Sequence, residues 1–188
     1  MFFIPQSKTD LIHTNFIESQ LEDEKELFDS FKKLNSSAQL HYLADLFNRD
    51  EEKNVLEWIV DSPLCDYGTA LLIFWRAQPD FYTQFADKSE AGYEKDTYRL
   101  LQKILGNYRD GKYKKARIKY LPQEDGQDIE NNYPDQKWEI PEEFKWGNHG
   151  RAVISMEKIN NFLFNLRHQW KEMQRQRKRN KRRKNNRS

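Results

Sequence analysis

The chain predicts a mainly α fold: a compact multi-helix domain with a small β element near residues 113–146 and a long C-terminal helix. Three observations carry this. Apolar residues recur at helical spacing through most of residues 21–108, residues 111–147 break that period, and from Gly150 it resumes as a heptad-like seam. A chain of 188 residues has the length for one core rather than two. Aromatics at 14% separate it from a disordered polymer even though 33% of residues are charged.

In "LEDEKELFDSFKKL", residues 21–34, Leu27, Phe28, Phe31 and Leu34 fall on one helical face, with acids early and Lys32 and Lys33 late, the order that suits the helix dipole. Asn35, Ser36 and Ser37 break the run and offer an N-cap for "AQLHYLADLF", where Leu40, Leu43, Ala44 and Phe47 form the next stripe. Asp50 can cap a third helix with Val55, Leu56, Ile59 and Val60 inward. Short links between the three suggest antiparallel packing.

Pro63 ends that helix, Asp66 is a good N-cap, and residues 67–75 are apolar on nearly every side until Arg76, as in a helix buried mid-domain. Pro79 and Asp80 restart the chain, and "YEKDTYRLLQKILGNY" follows with Tyr93, Thr97, Leu100, Leu101, Ile104 and Leu105 as its stripe and Gly106 near its end. "ARIKYLP" alternates as a short strand does, and "KWEIPEEFKW" shares some of that period across a turn-rich stretch. Ala152, Met156, Ile159, Leu163, Leu166, Trp170 and Met173 then make a seam about three heptads long. Docking of this seam on the body ranks ahead of pairing with a second copy. Three units follow: a helical domain over 1–150, an amphipathic helix over 151–173, and a disordered or frayed basic tail over 174–188.

The net charge of +2 conceals a division. Residues 171–188 hold ten Lys or Arg against the single acid Glu172, a charge of +9 that leaves −7 for residues 1–170. "MFFIPQ" lacks the basic and long apolar regions of a signal peptide, and no stretch approaches a membrane span, so no membrane contact is expected. The lone Cys65 can form neither an internal disulfide nor a thiolate zinc cluster, which fits a reducing cytoplasm.

Cys65 beside a helix start raises the question of a nucleophile, because the backbone dipole can lower a thiol pKa there. His13, His41, His149 and His168 are scattered, however, and the flanking segment reads as core, so an inert packed thiol is the favoured reading. The carboxylates Glu124, Asp125, Asp128 and Glu130 do not have EF-hand spacing, and no zinc, phosphate-loop, dinucleotide or nucleophile-elbow pattern occurs. The expectation is a protein that is not an enzyme and takes no metal or other cofactor.

Residues 57–82, "EWIVDSPLCDYGTALLIFWRAQPDFY", resemble the signature of an uncharacterised, mostly bacterial set of proteins, domain-of-unknown-function family 4274. The Cys65-Asp66 pair, the run from Thr69 to Trp75 and Pro79 carry most of the likeness, which continues more loosely over residues 40–146. It implies a small helical domain and brings no catalytic residue with it. The N-terminal helix and the basic tail lie outside it.

Two binding functions follow. In the first, Arg175, Arg177, Lys178, Arg179, Lys181, Arg182, Arg183, Lys184 and Arg187 contact RNA or another polyanion. In the second, an immunity-type or adaptor protein binds and blocks a protein partner through the acidic body, with Trp138, Phe144 and Trp146 as candidate anchors. Packing of those three aromatics over the core is the favoured alternative. The protein is expected to be a monomer, or a homodimer through residues 152–173.

Overall fold

A computed structural model describes residues 1–18, 23–47, 54–130 and 133–185, with the side chains of residues 157, 161 and 176–185 outside the description. Strand β1 (Phe2–Ile4) leads through Pro5 into helix α1 (Gln6–Ile12), which continues as a wider π turn over His13–Ile17. The sequence reading assigns nothing here, since a three-residue strand carries no period of its own. Helix α2 (Glu24–Phe31) starts at Asp23, whose carboxylate accepts from Lys25 N, and α3 (Ser37–Leu46) starts at Ser36, whose hydroxyl accepts from Gln39 N. Helix α4 (Asn54–Asp61) buries the four expected residues Val55, Leu56, Ile59 and Val60; Asp50, its expected cap, lies outside the described residues.

Helix α5 (Tyr67–Arg76) begins at Asp66 and buries every residue from Gly68 to Trp75, as its all-round apolar sequence requires. After α6 (Pro79–Tyr82), helix α7 (Lys95–Arg109) lays Leu100, Leu101, Ile104 and Leu105 on the core. Tyr93, expected in that stripe, is fully exposed: a short 3₁₀ turn over Gly92–Glu94 precedes the helix, and Tyr98 takes the inward place.

The small β element exists with different partners from those expected. Strand β2 (Lys119–Tyr120) pairs antiparallel with β3 (Asn148–His149), and β1 pairs parallel with β4 (Val153–Ser155). The stretch "KWEIPEEFKW" supplies no strand. Its first part is fastened to α6, where Lys137 N donates to Thr83 O at 2.7 Å, and its last part is helix α8 (Glu142–Trp146). Core packing overrides the weak alternation, because the Phe144 ring is fully buried against Phe74, Tyr67 and Tyr108.

Helix α9 (Met156–Asn185) begins later than residue 151 because residues 148–155 are occupied in backbone pairing; Ala152 O accepts from Phe2 N at 2.8 Å. The buried core gathers around α5, with α3, α7 and β2 against it and α4 packed on α3 and α7. Among the described residues no helix is long and apolar enough to cross a membrane.

Candidate polyanion interface

Helix α9 grows out of the strand pair. Ser155, fully buried, accepts from Lys158 N at 3.2 Å and so caps the first turn. The contacts of α9 with the rest of the molecule are chiefly with α1 and β4, and Lys158 reaches Asp45 of α3 at 3.9 Å. Met156 and Ile159 are half-buried, and every described side chain from Phe162 to Lys171 is exposed. Phe162, Phe164, Trp170 and Met173 keep more than half of their surface open, and Leu163 and Leu166 are exposed too. The expected docking of this seam on the body therefore fails beyond its first turns. The helix leaves the domain from the end of β4, with α1 against its first turns.

At 1.5 Å per residue the 30 residues of α9 span about 45 Å. The helical backbone continues through the basic segment to Asn185, where the sequence suggested a frayed or disordered tail. Arg175 is exposed and pairs with Glu172 at 2.8 Å, one turn earlier. The side chains of Arg177, Lys178, Arg179, Lys181, Arg182, Arg183 and Lys184 lie outside the described residues, as does Arg187 altogether.

The three aromatic candidates for a partner surface separate. Phe144 is a core residue and is withdrawn from the candidate surface. Trp138 is half-buried, its indole N–H donating to Tyr82 O at 3.1 Å. Trp146 is 65% exposed and is the one of the three that a partner can reach.

Cys65 is buried at 3% exposure, its thiol 3.7 Å from Asp66 O. Burial pushes the thiol well above the ordinary cysteine range, and the charges of Asp66 and Asp61 push it further, opposite to what a nucleophile needs. Among the described residues no group of three His, Cys, Asp or Glu side chains is placed to hold a metal ion.

One polar cleft escaped the sequence reading. A cavity of 220 Å³ is lined by His41, Asp45, Arg76, Lys119, Tyr120 and Asp125 among others. The Arg76 guanidinium donates to Asp45 Oδ1 at 2.7 Å, to the Asp45 carbonyl at 2.8 Å, and to both Asp125 carboxylate oxygens at 2.8 and 3.0 Å. The hydrogen bonds to Asp125, and then to Asp45, hold its pKa above the ordinary arginine value against the opposing effect of burial. His41 Nδ1 lies 3.1 Å from Thr69 Oγ1, and burial pushes the imidazole down to about 4, so it is neutral near pH 7. This arrangement is a strut joining the ends of α3 and α5 to the turn after β2. The guanidinium that would receive an anion is already held by two carboxylates. An arginine closing an otherwise apolar helix was the sequence signal for it.

A second feature was also missed. Several cations of the body have carboxylate partners: Arg99 and Lys103 on Glu57, Lys119 on Glu124, Lys145 on Glu142. Lys115, Arg117 and Arg151 make no ion pair among the described residues, and they line recesses beside β1. In sequence, Arg117 reads as part of the polar half of the strand "ARIKYLP", and nothing singles out Lys115 or Arg151.

Residues 35–109 match the family model described as Domain of unknown function (DUF4274). No curated protein matches the chain, and no solved structure does. The match runs from the turn before α3 to the last residue of α7, so the strands, α8 and α9 lie outside it. Residues 35–109 are thus similar to the DUF4274 family, a likeness that covers less than half of the chain.

Proposed function

We propose that the protein is a non-enzymatic helical binding protein whose C-terminal helix carries a basic segment to RNA or another polyanion. The observation that supports the reading is the course of α9: its described side chains from Phe162 to Lys171 are exposed, and the helix continues into a segment with ten Lys or Arg in residues 171–188. A helix of this kind brings its charges to a polyanion without rearranging the domain, and neutralised phosphates release counterions. Affinity then depends steeply on salt and little on sequence.

The test is the binding of fluorescent oligo(U) to the intact chain and to a chain ending at Met173, each across a salt series. The expected result is binding by the intact chain with a log–log salt slope of about 0.7 per phosphate neutralised, and a large loss on truncation. Equal binding by both chains would remove the tail from the interface.

A second reading has its own observation, the uncovered apolar residues Leu163, Leu166, Trp170 and Met173 on α9. A second copy of the chain through residues 152–173 is the occupant favoured by charge. Antiparallel pairing lays each +9 tail along the −7 remainder of its partner, whereas parallel pairing sets the two tails side by side. Sedimentation of the intact chain and of a Leu163→Asp/Leu166→Asp variant decides this: a concentration-dependent dimer that the variant abolishes supports it, and a monomer throughout removes it. A blocked protein partner, as in the immunity-type alternative, would instead use the acidic body with Trp146 as its exposed anchor.

A further inference from the structure

We propose that Phe3, Lys115, Arg117, His149 and Arg151 form a second contact surface, on the body, for single-stranded RNA. The proposal rests on the polyanion reading of the basic helix, which it deepens by naming the strandedness of the partner and a second point of contact.

The argument begins with backbone. Asp66 accepts from the N–H groups of Arg117 at 3.0 Å and Ile118 at 3.1 Å, which fixes the extended segment 115–118 against the start of α5. Arg151 N donates to Arg117 O at 2.6 Å, and Lys119 N donates to Arg151 O at 3.0 Å, so the two arginines sit on adjoining chains. This approach requires Gly150, where a Cβ would fall 2.3 Å from the Arg117 carbonyl oxygen. Two like charges are thus brought together by architecture, with no carboxylate between them among the described residues.

Around them lie two adjoining recesses. One, of 380 Å³, is lined by Phe2, Arg117, His149, Gly150 and Arg151. The other, of 350 Å³, shares Phe2 and Arg117 and adds Phe3, Lys115 and the serines at the head of α3. The one acid lining either recess is Asp66, fully buried, with its carboxylate oxygens receiving backbone N–H groups.

Phe3 completes the surface. Strand alternation sends Ile4 into the core, and Phe3 to the opposite face at 58% exposure. A flat apolar ring standing in a field of unpaired cations gains nothing from the fold. It is what single-stranded nucleic acid binding uses: cations follow the phosphates and an aromatic face stacks a base. A duplex keeps its bases stacked inside and cannot offer one to Phe3. The surface adjoins β4, from which α9 departs, so one strand can run from it toward the basic helix.

The test uses the full chain with Arg117→Ser/Arg151→Ser and, separately, Phe3→Ala, titrated with oligo(U) and with an RNA duplex of equal length across a salt series. Denaturation midpoints equal to the parent chain confirm that each variant is folded; all the altered groups are side chains with no ion pair or hydrogen bond among the described residues. The double variant is expected to lower the salt slope for oligo(U) by about 1.4, at about 0.7 per phosphate released. Phe3→Ala is expected to weaken oligo(U) by between about 5-fold and 100-fold with the slope unchanged and the duplex unaffected. Unaltered slope and affinity in both variants, while truncation at Met173 removes binding, would overturn this surface and leave the helix reading standing. Binding that survives truncation and is lost in the variants would uphold the surface and remove the helix. No binding by the full chain at low salt would overturn both.

Discussion

The Asp66 carboxylate accepts the backbone N–H of Ile118 at 3.1 Å, across 52 positions of sequence. The same oxygen accepts from Gly68 N, also at 3.1 Å, and its other oxygen accepts from Arg117 N at 3.0 Å. One fully buried side chain therefore starts the central helix and also fastens the basic segment across its end.

Replacement of Asp66 should cost more than an ordinary cap. Loss of a capping acceptor alone costs about 1 kcal/mol. Asp66→Ala also strands two further N–H donors, and we expect a loss of about 3 kcal/mol in urea denaturation. Hydrogen exchange at Arg117 and Ile118 should rise in the variant. A loss near 1 kcal/mol, with unaltered exchange there, would assign Asp66 to capping only.

Glycine substitutions should have opposite signs at two helical positions. A Cβ on Gly68 would lie 2.1 Å from the Ile118 carbonyl oxygen, whereas one on Gly106 meets nothing within 4 Å. Gly106→Ala should stabilise by about 1 kcal/mol through helix propensity. Gly68→Ala should destabilise by about 2 kcal/mol, since backbone and helix must separate. The same sign at both sites would show that segment 115–118 yields easily.

His41 should make the protein acid-sensitive. Burial depresses its folded pKa from 6.5 to about 4, with Arg76 and Lys158 acting in the same direction and Asp45 and Asp125 against it. Between those pH values the unfolded chain binds a proton at this position that the folded chain refuses. The contribution is therefore complete above pH 6.5 and is lost as pH falls through that window, by about 3 kcal/mol in all. His41→Gln, which retains a partner for Thr69, should lose correspondingly less stability between pH 7 and pH 4.5. Parallel stability curves for the two proteins would count against a buried neutral imidazole.

Cys65 should resist alkylation. With the thiol buried and its pKa raised, iodoacetamide at neutral pH should modify it at the rate of global opening, and denaturant should accelerate the reaction steeply. Rapid modification under native conditions would mean that the start of α5 opens by itself.

The likeness of residues 57–82 to the family signature was legible because it rests on local chemistry. An aspartate caps the helix that follows it, and a run apolar on all sides has nowhere to go except the centre. The same locality made α3, α4 and α7 readable from their stripes. Tyr93 was misplaced because a period says which residues share a face and not where the first turn begins. Phe144 takes the packed place that the sequence reading favoured over a partner surface, while Trp146 does not, because charged neighbours describe only the chain beside a residue and burial depends on Phe74 and Tyr108, far away in sequence.

The sequence by itself determined the helical class, the buried α5, the inert setting of Cys65 and the division between an acidic body and a basic end. These follow from spacing, capping and charge, all of which act within a few residues. Tertiary packing alone makes Asp66 serve segment 117–118, holds Arg76 between Asp45 and Asp125, brings Arg117 and Arg151 together through Gly150, and leaves α9 uncovered from Phe162 to Lys171. Each of these depends on which distant backbones meet, and that is set by how the whole core packs.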